Sequence, residues 1–154
     1  MFSRIQTLYL FIAALLAFGS MAFPFWSFTT DHLILFGDFK DVQGAGFVVT
    51  AGSIGGGILS PLTGIVSLAT IFFFKDRKLQ QKLIFLCYVL FAADLLAGLA
   101  GGHFLKQHLE TLSTSVSFAP GGGMFLLLPE PVLFWLASLG VKKDEKIATA
   151  YKRL

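Results

Sequence analysis

Residues Leu83–Leu105 read LIFLCYVLFAADLLAGLAGGHFL, a run with one acid, Asp94, and no Lys or Arg. As a helix it would extend roughly 30 Å at 1.5 Å per residue, the thickness of the hydrocarbon layer of a bilayer. It lacks the apolar/polar alternation of a barrel strand. A helix is the other way to satisfy backbone N–H and C=O groups in lipid. Three more stretches share this character: Ile5–Phe28, Ser53–Phe74 and Gly121–Gly140. The sequence therefore predicts an all-α membrane protein, a four-transmembrane-helix bundle. Its helices fall at about 5–28, 53–74, 83–105 and 121–140, with a tail over 141–154, in a single membrane domain.

Composition agrees. The chain has 154 residues, 55% hydrophobic and 14% charged, with 18 Phe; its mean hydropathy is +0.76. Ordinary soluble domains carry roughly 25% charged residues, so these charges are too few to coat a globule. Four spans leave no length for a soluble domain of usual size. Ile5–Phe28 is not read as a cleaved signal peptide, because its apolar run continues through Phe23-Pro24-Phe25-Trp26. The single Cys87 excludes an intramolecular disulfide and two-thiol chemistry, and its apolar setting reads as a buried small hydrophobe.

The net charge is +3. Its distribution says more than its size. Arg4, Lys75, Arg77, Lys78, Lys82, Lys142, Lys143, Lys146, Lys152 and Arg153 fall on segments of one side, and only Lys40 and Lys106 on the other. By the positive-inside rule both termini are cytoplasmic. The basic residues thus read as a topology signal with lipid head groups nearby, and no nucleic acid is expected. The first outer loop, Thr29–Gly52, holds two β-like runs, Leu33–Phe36 and Phe47–Thr50, separated by Gly37, Asp38, Asp41, Gly44 and Gly46. That pattern predicts a small hairpin, with Val116-Ser117-Phe118 as a third strand.

Small residues recur at spacing four: Gly52, Gly56, Ser60 and Gly64, then Ala93, Ala97 and Gly101. Each set lines one helix face and permits close backbone approach, within the chain or against another subunit. Gly55–Gly57 and Gly121–Gly123 lack the Lys-Ser/Thr of a phosphate loop and read as packing glycines. No metal spacing or nucleophile elbow is present, so neither cofactor nor metal nor enzymatic activity is expected. His32, His103 and His108 read as interfacial hydrogen-bonding residues.

The informative residues are Asp94 and Glu130, acids inside apolar runs. An intramembrane carboxyl is expensive and stands as a functional-site hypothesis. With no cation in any span, each is expected protonated or bonded to hydroxyls such as Thr63, Ser67, Thr70 or Ser20. The two are expected at one depth, sharing a proton if their faces meet. Pro129 and Pro131 remove two donors, so the fourth helix should bend or unwind there, and the second more mildly at Pro61.

Three blocks carry a family likeness: Ser3–Leu10, Phe74–Gln80, and Leu136–Lys146 followed by Lys152-Arg153-Leu154. In order and spacing they resemble an uncharacterised four-transmembrane-helix inner-membrane family of Bacteroidota-type bacteria, a domain of unknown function. The resemblance implies fold and topology and no mechanism. All three blocks lie at the cytoplasmic edge. Arg4 or Arg77 could pair there with Asp144 or Glu145, and Gln6 with Gln80, while Lys143 adds charge; together they form a candidate docking edge. The expected function is a non-enzymatic accessory or scaffold subunit with a membrane-protein partner or a second copy. The alternative is a small proton- or cation-conducting protein using Asp94 and Glu130.

Overall fold

Pro24 ends the first helix. It has no N–H to donate and biases Phe23 away from helical backbone. In the computed structural model, which describes residues 3–40, 42, 44–112 and 115–151, α1 covers Ser3–Ser20. The chain then turns into strand β1, Trp26–Thr29. The expected first span is corrected accordingly, because its last third is a turn and a strand. Strand β2, Leu33–Phe36, follows where the sequence predicts it.

Its partner differs from the expected one. Phe47–Thr50 forms the first turn of helix α2, Phe47–Phe72, and β2 pairs with β1 instead. Apolar β-branched residues suit a strand locally, but here they begin a long apolar helix, and that context overrides propensity. Helix α3, Arg77–Leu112, is longer than expected at both ends. Asp76 caps it: the Leu79 N–H donates to Asp76 Oδ1 at 3.1 Å. Strand β3, Ser117–Pro120, is the predicted third strand, and it too pairs with β1. The sheet order is β2-β1-β3, all antiparallel. Pro120 sits on an edge strand, where a missing donor costs no ladder bond.

The last apolar stretch is interrupted where the prolines predict it. Helix α4, Gly122–Leu127, gives way at Leu128-Pro129 to helix α5, Glu130–Tyr151. The expected tail is therefore helical as far as Tyr151. Helix α2 runs through Pro61 without a break.

Three helical segments are long and apolar enough to cross a membrane: Phe47–Phe72, Arg77–Leu112 and Gly122–Ala150. The apolar part of α1, Ile5–Ser20, is shorter. Large apolar side chains cover the outside of these helices; Phe85 is 68% exposed, Leu96 65% and Trp135 57%. Such an apolar outer surface is what a lipid solvent asks for.

Two cores fill the interior. Near the basic loop, Leu10, Ala13, Ile84, Cys87, Phe134, Ala137 and Val141 pack together. Near the sheet, Phe25, Phe28, Phe36, Val49, Leu105, Leu109 and Leu127 do so. At the sheet end, rings meet glycines. A Cβ on Gly98 would strike the Phe25 ring at 2.7 Å, and one on Gly101 the Phe36 ring at 2.5 Å. Helices α2 and α3 approach just as closely: a Cβ on Gly52 would lie 2.8 Å from Ala97 O and 3.0 Å from Gly101 Cα. The small-residue face of α2 is thus spent on packing inside this chain, the first of its two expected uses, and is not left free for another subunit.

Candidate functional site

Asp94 lies on α3 and is 3% exposed. Its Oδ2 accepts a hydrogen bond from Ser60 Oγ on α2 at 2.5 Å. Ser60 Oγ in turn lies 3.4 Å from Ser20 Oγ at the end of α1. Ser20 has one hydroxyl proton and can direct it to Ser60, or to Ala17 O at 2.8 Å. Three helices thus contribute to one line of oxygens. Of the hydroxyls expected near Asp94, Ser20 stands one step away, and the others turn elsewhere. Thr63 donates to Leu59 O, Thr70 to Val66 O and Ser67 to Leu10 O. Sequence spacing marks Ser60 as a small packing residue, and only the apposition of α2 and α3 makes it the donor.

Glu130 is fully buried, and neither carboxyl oxygen has a hydrogen-bond partner among the described residues. The helix interruption at Leu128-Pro129 precedes it directly. Tyr88 of α3 donates its hydroxyl to Pro131 O at 3.0 Å and holds α3 beside this turn. Asp94 and Glu130 are both buried. The two acids therefore share the bundle interior, and neither faces lipid.

A third acid joins them that sequence reading passes over. Asp38 follows β2 in a loop that the composition marks only as turn-forming. The loop is strapped to α2: Ser53 Oγ donates to Gly37 O at 2.7 Å, and the Phe39 N–H donates to Ser53 O at 3.2 Å. A Cβ on Gly56 would lie 2.5 Å from Asp38 Oδ1 and 3.4 Å from Asp94 Oδ1. The two carboxyls therefore face each other across Gly56. Burial raises the Asp38 carboxyl above its ordinary titration range. The signal that could have pointed here is Gly55–Gly57, whose absent side chains make room for a loop; Gly57 lies under the Phe39 ring. Among the described residues, no group of three or more His, Cys, Asp or Glu is placed to hold a metal ion. The acids form a series, and a cage is absent from their arrangement.

At the other end, the basic loop and the α5 block come together. Lys75, Arg77 and Lys78 share a groove of about 500 Å³ with Glu145 and Thr149. Lys142, Lys143 and Lys146 line an adjoining one with the same Glu145 and Thr149. The expected pairings are corrected. Gln6 Nε2 donates to Asp144 Oδ2 at 3.3 Å, while Gln80 Nε2 turns to Thr70 O at 3.3 Å. A buried amide N–H must find an acceptor, which for Gln80 is the buried Thr70 carbonyl in the last turn of α2. Among the described residues no ion pair joins Arg77 to Asp144 or Glu145; Lys106–Glu110 at the sheet end is an ion pair. The Arg4 side chain lies outside the described residues. Sequence reading also missed Gln81 and Ser138, which bond twice: Gln81 Nε2 to Ser138 O at 2.8 Å and Ser138 Oγ to Gln81 Oε1 at 3.0 Å.

Lipid-compatible helices around a buried acid series define a helical protein with the length and apolarity to cross a membrane. The chain belongs to the family described as a domain of unknown function, DUF4293, which matches residues 2–154. No curated protein and no solved structure matches it.

Proposed function

We propose that this is a non-enzymatic, multi-pass protein of the bacterial inner membrane whose interior carboxyls, Asp94 and Glu130, take up and pass on a proton. In this reading all four apolar segments enter the bilayer, with both termini cytoplasmic and the sheet outside. The observation that carries it is Glu130, a fully buried carboxyl with no hydrogen-bond partner among the described residues, in the same buried interior as Asp94. An uncompensated charge there would cost several kcal/mol. A structural acid in that position would be expected to hold a hydrogen bond. A carboxyl that changes hands with a proton needs a neighbour to exchange with, and Asp94 with its Ser60–Ser20 hydroxyls is that neighbour.

Purified protein in vesicles containing a pH-sensitive dye, with an imposed potential, tests this. Wild type should acidify or alkalise the lumen according to the sign of the potential, and Asp94→Asn and Glu130→Gln should abolish the flux while remaining folded. A folded wild type without flux would reject the reading. The orientation is tested separately. A reporter active only outside the cytoplasm should be active at Asp41 and silent after Leu154; the reverse would overturn the topology.

A second reading, an accessory subunit of a larger membrane complex, is favoured by the two adjoining grooves at the basic end, which gather six cationic side chains around Glu145. A stable partner co-purifying in mild detergent, and lost on Arg77→Glu with Lys146→Glu, would support it.

A further inference from the structure

Both named acids are sealed inside the protein, and a proton must reach them. Asp38 is the acid of the series with partial exposure: its residue is half-buried, whereas Asp94 and Glu130 are buried. We infer that Asp38 is the port through which the aqueous phase at the sheet end exchanges protons with Asp94. This deepens the proposed function and rests on it.

Four observations converge. The loop reaches far along the bundle. Gly56 is nine residues beyond Phe47, where α2 begins, so Asp38 meets α2 ~14 Å along its axis at 1.5 Å per residue. The loop is held there by the two Ser53 bonds. Phe39 has φ 55°, a left-handed backbone that a bulky residue adopts only when its surroundings impose it. Its ring rests on Gly57, while it remains 60% exposed. The chain thus accepts strain to set Asp38 against Asp94, a placement that loop closure alone does not require. Finally, Glu130 is buried with no hydrogen-bond partner among the described residues, and in the proposed function it is the inner end of the series.

The step is a single proton transfer. A hydronium ion from the aqueous phase protonates the Asp38 carboxylate and is left as water. The Asp38 O–H bond breaks as one forms on Asp94, directly or through one intervening water, and Asp38 returns to the carboxylate. No electron moves and no co-reactant is needed. Facing Asp94 are Ser60 of α2 and Asp38 of the loop, and Glu130 of α5 is the other acid buried in the interior. No lysine or arginine lies within the α2 sequence or between Leu83 and Leu105 of α3 to hold the proton off.

The test follows Asp94 itself. After an acid jump on the purified full chain, time-resolved infrared spectra show its carboxyl band, identified by its loss in Asp94→Asn. Asp38→Asn should slow the protonation of Asp94 by about a hundredfold, the low end of what a positioned proton carrier contributes. Gly56→Ala, which keeps both acids but puts a methyl between them, should slow it likewise. Unchanged rates in folded Asp38→Asn and Gly56→Ala would overturn the port. The vesicle assay separates the two ideas. A wild type without flux rejects the proposed function, whereas flux in wild type with equal rates in Asp38→Asn rejects only the port.

Discussion

At the sheet end, Phe25, Phe36 and Phe39 stand on glycines of α2 and α3, and helix backbones touch at Gly52. At the basic end, Leu10, Ile84, Phe134 and Val141 fill the space between helices with their own side chains. The polar chemistry divides in the same way. The sheet end buries carboxyls joined by hydroxyls, and the basic end buries glutamine amides, Gln6 and Gln80, bonded to Asp144 and a helix carbonyl. Between apolar helices in lipid, contact is no driving force in itself, so such a bundle depends on close fit. One half achieves fit by removing side chains, the other by interlocking them. The difference predicts opposite responses to substitution.

The largest effect should come from emptying the basic end. Phe134→Ala removes a fully buried ring packed edge-on against Tyr88 at 5.7 Å between centroids. Its cost should be about 3–5 kcal/mol, read as a lowered thermal midpoint in detergent.

The sheet end should instead fail by addition. Gly52→Ala sets a methyl against the Ala97 carbonyl and the Gly101 backbone, neither of which can swing aside. A loss of about 1–3 kcal/mol is expected. Gly55→Ala is the control, because its Cβ would meet Ala97 Cβ at an ordinary 3.5 Å. With its helical backbone already compatible, it should stabilise by about 0.5–1 kcal/mol. Equal responses at Gly52 and Gly55 would remove the distinction between the two halves.

Ser60→Ala leaves Asp94 without its hydroxyl donor and should cost about 1–2 kcal/mol. A stability unchanged by this substitution would mean that the hydroxyl line holds nothing together. At the basic end, Asp144→Ala breaks the bond from Gln6 and should cost about 0.5–1.5 kcal/mol. Denaturation of the two variants under one set of conditions compares the ends directly.

The smallest effect concerns pH. Burial raises the Asp38 carboxyl above 3.8, so the folded state binds this proton more tightly than the unfolded chain. The Asp38 contribution to stability therefore declines as pH rises from 3.8 through the folded value, and is level above it. Asp38→Asn should be at least as stable as wild type at neutral pH, with the difference closing below 3.8. A neutral-pH loss would show that Asp38 serves mainly as a structural anchor for its loop.

The sequence by itself determined the class of the molecule and most of its helices. Long apolar runs with few charges admit little else, because backbone groups in lipid must be paired within their own segment. Pro24 and Pro129-Glu130-Pro131 marked the real interruptions, although the first was read through because aromatic residues follow it without a polar break. Asp94 and Glu130 stood out because a lone acid is conspicuous in an apolar run. Their companions did not. Ser60 is one small residue among many, and Asp38 is one turn residue in a loop full of them. The apposition of α2 and α3 brought Ser60 to Asp94, and the pairing of β2 with β1, where the sequence had suggested Phe47–Thr50, brought Asp38. That choice frees Gly37–Phe39 to lie along α2 and brings Asp38 to Gly56. Strand partners and loop paths are set by contacts between distant segments, here rings finding glycines, and local spacing carries no record of them.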